Sequence, residues 1–360
     1  MELTWKIGVE VELVAPRGSS RRDLAEVLAR SRGASVRPFF HPQSELSLVP
    51  DVPVFENLTL GFEVVDDAGV VAARYVDDLT LQDDLARDAG PKPGWYRVVS
   101  DDTRFLALVR RFGRADGTPL DAVEPVARLF GTEPEVFDDG TIRVTDDTKA
   151  PIVIAMPLPS ERERPCEIVT APLAKHHAEE LERLLAPARE RGFRIARESA
   201  THIHFDGAPL CSPRTFRALV STLAHWGPAL KALVSTNPSC RRLGAWPTAL
   251  IATVEEPDFI TLSWPEARAR LSELGLTKYC DFNLKNLVHD IAGKHTFEVR
   301  VLPGMIETEP VLECAALFEA ILRSCVEEGE PCALDLESTA RLLDRLPLEA
   351  NVRRHWRLRA

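Results

Sequence analysis

The chain has 360 residues, is 45% hydrophobic, and carries a formal net charge of −11. That length suits roughly two to three domains of about 150 residues. The acidity argues against binding a nucleic-acid backbone, and the lack of a run of ~18 apolar residues argues against a membrane span.

The acidity is uneven: −9 falls on residues 1–150 and only −2 on residues 151–360. The seven cysteines are odd in number, scattered and free of any C-x-x-C spacing. That disfavours both a disulfide framework and a zinc site and fits a reducing, cytoplasmic setting. The opening residues show no basic stretch followed by an apolar one, so no leader peptide is expected.

In chain order, residues 5–14 alternate like a strand, and Ser19 or Ser20 is placed to cap a helix running to about Ser31. From Arg37 to Met156 short β-rich runs follow: Pro53–Val65, Val70–Val76, Trp95–Ser100 and Phe105–Arg111. Within this stretch Arg97–Arg104 (RVVSDDTR) resembles Ile142–Lys149 (IRVTDDTK), a similarity that two Asp-led turns would also produce. From Pro151 the pattern becomes mixed. Strands are predicted at Ile152–Met156, Cys166–Thr170, Phe193–Ala196, Thr201–Asp206, Tyr279–Leu284 and Thr296–Leu302. Helices are predicted at His176–Arg191, Pro213–Ser235, Trp264–Leu274, Glu309–Cys325 and Leu336–Leu346. The division expected is a core of residues 1–36 and 151–330, a β-rich insertion at 37–150, and a C-terminal helix with a basic tail at 331–360. That tail carries Arg353, Arg354, Arg357 and Arg359, and its ordinary reading is a solvated segment.

The chemistry lies in the strands. Side chains alternate with period two, so in residues 7–13 Glu10 and Glu12 share the face opposite Ile7, Val9, Val11 and Leu13. In residues 201–206 His202, His204 and Asp206 oppose Ile203 and Phe205. In residues 296–301 Glu298 and Arg300 oppose Phe297, Val299 and Val301. Glu167 stands alone on an apolar strand. A wet face of an antiparallel sheet explains any one of these. As a set they are carboxylates and imidazoles, the groups that hold divalent cations. Oxygen-rich sets suit Mg²⁺, with Mn²⁺ tolerated where an imidazole joins. The lone arginine beside Glu298 has the character of an anion clamp, as phosphoryl transfer needs.

Five motifs in order resemble the bacterial amidoligase family of the carboxylate–amine ligases, the superfamily of glutamine synthetase and glutamate–cysteine ligase. They are G-x-E-x-E at Gly8–Glu12, E-I-V-T-x-P at Glu167–Pro172, H-x-H at His202–His204, Y-x-x-x-N-L at Tyr279–Leu284 and T-x-E-x-R at Thr296–Arg300. The resemblance implies an α+β fold. Its curved, mainly antiparallel sheet is of the glutamine synthetase catalytic-domain type, holding ATP and Mg²⁺ on its concave face with helices behind. It implies that Glu10, His202 and Glu298 hold the metal that bridges the nucleotide phosphates, and that Glu12 and Glu167 hold a second. It implies that His204 and Lys278 contact the nucleotide, that Arg300 clamps the γ-phosphate, and that Tyr279 and Asn283 face the substrate. A further metal ligand of glutamine synthetase has no match here. The family often carries an Asp ahead of the E-L-V strand, so the resemblance implies that Asp147, or Asp102 in the similar segment, lies near the site. The reaction implied is ATP-dependent: a carboxylate takes the γ-phosphate to give an acyl phosphate, and an amine then displaces phosphate to give a peptide or isopeptide amide.

The partners implied are small-molecule or peptide carboxylates and amines, and a homo-oligomer is compatible with the sequence. Two other readings compete: a guanidino-kinase-like phosphotransferase on the same fold, which would yield a phosphorylated acceptor rather than free phosphate, and an inactive scaffold, against which the intact E-x-E, H-x-H and E-x-R sets stand. Elsewhere ordinary roles are expected. Cys280 and His289 have no catalytic spacing, His176 and His177 read as solvated, His295 as a turn residue, and Trp226, Trp246 and Trp264 as packing.

Overall fold

The computed structural model describes residues 3–46, 54–240, 242–291, 293–333 and 338–360. Pro53 and the start of the helix predicted at Leu336 lie outside them. The elements in chain order are β1 (Ile7–Val14), α1 (Arg21–Arg32), β2 (Ser35–Leu46), β3 (Val54–Val65), β4 (Val71–Val76), β5 (Tyr96–Val99), α2 (Thr103–Phe112), α3 (Pro119–Leu129), β6 (Glu135–Val136), β7 (Ile142–Thr145), β8 (Pro151–Pro157) and β9 (Pro165–Thr170). Then come α4 (His177–Glu190), β10 (Ala200–Asp206), α5 (Pro213–Leu233), α6 (Thr248–Glu255), α7 (Trp264–Ser272), β11 (Phe282–Asn283), α8 (Lys285–Val288), β12 (Thr296–Pro303), α9 (Thr308–Glu328), α10 (Thr339–Arg345) and α11 (Ala350–Arg357). Helices and antiparallel strands are thus mixed, and the sheet is open.

The chain forms two compact units. One comprises residues 1–11, 172–185 and 198–360, and the other residues 12–171 and 186–197. In the first, β1 pairs with β10, β10 with β12, and β12 with β11, all antiparallel. The alternation predicted for these strands is realised: Ile203, Phe205, Phe297, Val299 and Val301 are all fully buried. Phe297 stacks against Phe282 with ring centroids 6.4 Å apart, and Phe282 in turn meets Phe318 of α9 at 6.0 Å. Helix α5 begins where Ser212 accepts the Thr215 N–H at 3.1 Å and Pro213 fills the first turn, where no backbone donor is needed.

In the second unit β3 is the organising strand. Its whole length pairs with β2, and its other edge is shared by β4 and β5. Beyond them β4 pairs with β9, β5 with β8, β8 with β7, and β7 with β6. The two similar segments therefore end as β5 and β7, the two neighbours of β8. Their Asp residues act differently. Asp102 accepts the Arg104 N–H and caps α2, whereas Asp146 accepts from Thr148 and Ala150 to close a turn. Helix α1 ends at Gly33, whose φ of 62° is the left-handed conformation that glycine adopts without strain.

Four sequence expectations are corrected. Phe105–Arg111 is helix α2, not a strand: Leu106 and Val109, three apart, are its buried residues. Together with α3 it makes the 37–150 stretch a mixture of helix and strand. Phe193–Ala196 forms no strand and only a single bridge, between Arg194 and Val14. His177 is buried rather than solvated, with Nε2 at 3.2 and 3.1 Å from the carbonyls of Trp5 and Leu173. The basic tail is the packed helix α11, with Val352 and Trp356 buried. Arg353 caps the preceding turn through the carbonyls of Leu343, Asp344, Leu346 and Leu348.

Candidate metal centre

Facing residues of adjacent antiparallel strands project to the same side. In the first unit the register places Asn283 opposite Glu298, Glu298 opposite His204, and His204 opposite Gly8. A single row of side chains thus crosses β11, β12, β10 and β1. Glu10, two residues beyond Gly8 on the same face, is opposite His202. Between Thr201 and Ile203 the β10–β12 register slips by one residue. The extra residue lies on β12, beside Arg300, and such a bulge re-aims the side chains around it.

The result is a tight cluster. His204 Nε2 lies 3.1 Å from Glu10 Oε1 and 3.8 Å from Glu298 Oε1. His202 Nδ1 lies 3.3 Å from Glu10 Oε2 and 3.6 Å from Glu298 Oε1. Arg300 donates to Glu298 Oε1 at 2.6 Å and Asn283 to Glu298 Oε2 at 2.7 Å. The Asn283 carbonyl oxygen accepts the Lys285 N–H, which ends β11 and starts α8. At Gly8 an added Cβ would meet His204 Cβ at 3.7 Å, ordinary contact. The glycine is therefore not imposed by the backbone. Its missing side chain leaves the row open beside the imidazole.

Burial opposes the charge on Glu10, yet the two imidazoles overcome it and hold its carboxyl well below the usual carboxylate range. Glu298 behaves alike: burial raises it, while His204 and Arg300 bring it below its ordinary value against the repulsion of Glu10. Burial disfavours a charged His204, but Glu10 and Glu298 outweigh that and raise its pKa. His204 Nε2 thus sits beside two carboxylates, which favour its charged form. A divalent ion at Nε2 would satisfy the same two carboxylates. Glu10, His204 and Glu298 each offer one ligand atom, all within 4.8 Å of one another. Two carboxylates and an imidazole are a donor set for Mg²⁺ or Mn²⁺.

The other predicted residues fall as follows. Glu12 and Glu167 belong to the second unit. Glu12 is buried near the end of β1, and Glu167 lies on β9 opposite Val76. Asp102 is engaged in capping α2 and Asp147 is exposed. Tyr279 lines a cavity of about 110 Å³ with Trp246, Thr277, Cys280 and Leu284. The Lys278 ammonium and the Arg242 guanidinium each lie 5.6 Å from the Tyr279 ring. Sequence reasoning passed over Arg242, Asn286 and Thr296. Asn286 donates to Thr296 Oγ1 at 3.2 Å, and that oxygen is 3.1 Å from His204 Nδ1. The signal was present for Thr296, the first residue of T-x-E-x-R, but a threonine opening a strand carries no distinctive chemistry.

A family model described as "Putative amidoligase enzyme" matches residues 3–322. No curated protein matches the chain. No solved structure matches it. Among the described residues no helix is long and apolar enough to cross a membrane.

Proposed function

The chain belongs to the amidoligase family, and from that membership we propose that it is an ATP- and Mg²⁺-dependent carboxylate–amine ligase that forms an amide bond through an acyl phosphate. The observation that carries the reading is the joining of Glu10, His204, Glu298 and Arg300 in one half-buried cluster. The fit to a divalent ion rests on its donor atoms and on the like-charged carboxylates that it would reconcile.

Glu10, His204 and Glu298 would hold the ion, with His202 against both carboxylates. A bound divalent ion supplies charge neutralisation to the phosphate oxygens. Arg300, held by Glu298, would clamp the transferring phosphoryl group with its guanidinium charge. Asn283 fixes Glu298 from the other side. As the resemblance implies, Glu12 and Glu167 would hold a second ion, and Lys278 and Tyr279 supply nucleotide- and substrate-side contacts. The substrate carboxylate attacks the γ-phosphorus of ATP, releasing ADP. The amine then attacks the acyl carbon, releasing phosphate and a proton. No nucleophile from the protein is required, so positioning and electrostatics carry the rate. The setting is cytoplasmic and the acceptors are small molecules or peptides.

Two measurements test this. The first is the melting temperature with a non-hydrolysable ATP analogue, with and without Mg²⁺ or Mn²⁺, for the wild type and Glu298→Gln. A ligand at 100 times its dissociation constant stabilises the native state by about 2.7 kcal/mol. The expected result is a metal-dependent rise in wild type that Glu298→Gln abolishes; no rise with any metal removes the reading. The second is phosphate release across carboxylate and amine pairs. A ligase releases phosphate only when both are present, whereas a phosphorylated acceptor in place of free phosphate identifies a kinase.

A further inference from the structure

Resting on the metal-site reading above, we infer that Thr296 and Asn286 are positioning residues that fix His204 as an Nε2 metal ligand. The resemblance places His204 at the nucleotide. The structure places its Nε2 between Glu10 and Glu298, at 3.1 and 3.8 Å.

An imidazole binds a metal through one nitrogen, and the hydrogen bond at the other nitrogen selects which. At His204 the two nitrogens have distinct partners. Nε2 faces carboxylates, and Nδ1 faces Thr296 Oγ1 at 3.1 Å. The Asn286 amide donates to that same oxygen at 3.2 Å. Asn286 is 8% exposed and sits on α8, the short helix started by the Asn283 turn. A hydroxyl oxygen accepts two hydrogen bonds, so Oγ1 takes the Nδ1–H and the amide N–H together. Nε2 lies beside Glu10, and Nδ1–H faces Thr296. With an ion held at Nε2, the Nδ1–H bond stays in place and the ring does not reorient. Asn286 keeps Thr296 from turning away. Asn286 lies on the α8 side of the unit and Thr296 opens β12, so helix and strand must both be in place to aim the ring.

The test titrates Mn²⁺ alone, without nucleotide, into the metal-free full-length protein. Free Mn²⁺ is followed by electron paramagnetic resonance, and the metal-free melting temperature of each variant is measured alongside. Loss of a partner of this kind weakens metal binding about 10- to 100-fold, and that loss is expected for Thr296→Val. Thr296→Ser, which keeps the oxygen, is expected within about threefold of wild type, and Asn286→Ala about tenfold weaker. The metal-free melting temperatures of Thr296→Ser and Asn286→Ala are expected near wild type, which separates aiming the ring from holding the fold. Should Thr296→Val not fold, Asn286→Ala and His204→Gln, each against Thr296→Ser, still decide. Equal affinity in wild type, Asn286→Ala and Thr296→Val overturns this inference and leaves the ligase reading standing. Wild-type affinity in His204→Gln overturns it as well. A wild type that binds no Mn²⁺ overturns both.

Discussion

Glu298 is where most of the cluster meets: it accepts from Arg300 and Asn283 and lies against both imidazoles. Period-two alternation was enough to put Glu298 and Arg300 on one face and His202 and His204 on another. It could not say that these faces were one face, nor which histidine came nearest a given carboxylate. If Arg300 stabilises the transferring phosphoryl group, Arg300→Ala is expected to lower turnover about 10²- to 10³-fold. The ATP-analogue melting shift should change far less, and steady-state phosphate release beside that shift checks both. The raised pKa of His204 also sets a pH dependence. Its folded value lies above its unfolded value, so the metal-free protein holds an extra proton. The stability this contributes is complete below the ordinary imidazole value and is lost as pH rises through the raised one. Mn²⁺ affinity must move the opposite way, because the ion displaces that proton. It should strengthen with pH up to the raised value and then level off. A Mn²⁺ titration series between about pH 6 and 9 reads it, and a flat profile would count against His204 as a ligand.

At the scale of elements, the strands that carry the motifs were legible because a half-buried sheet imposes alternation over several residues. Phe105–Arg111 was misread because a short apolar run fits either period. What distinguishes it is Asp102, which caps the helix, and the three-residue spacing of Leu106 and Val109. Tyr279–Leu284 reads as a strand, yet only Phe282 and Asn283 pair. The Asn283 side chain bonds the Lys285 N–H and turns the chain into α8. The C-terminal arginines hid an apolar pair four residues apart, Val352 and Trp356, that packs α11 down. Trp356, 1% exposed, donates its indole N–H to the Glu313 carbonyl at 3.2 Å. Trp356→Ala is expected to cost about 3–5 kcal/mol of stability. Urea denaturation followed by circular dichroism measures this; a solvated tail would show no change in midpoint.

At the scale of the molecule, the candidate ligands come from residues 10, 202–204 and 298, distant in sequence and joined only within a folded unit. If they hold an ion, its binding is coupled to folding, and Mn²⁺ alone is expected to raise the melting temperature of the wild type in proportion to its occupancy. His204→Gln or Glu298→Gln should remove that dependence in a scan across metal concentrations. The sequence by itself determined the candidate ligand types, the strands that bear them and the family, because local alternation and motif order are properties of consecutive residues. Only the tertiary structure decided that Glu10, His204 and Glu298 share a face, that a one-residue register slip lies beside Arg300, and that Asn286 and Thr296 stand behind His204. Strand register and the packing of α8 on β12 depend on residues far apart in the chain. A slip of one residue in the pairing of β12 would have turned Glu298 away from His204 to the opposite face.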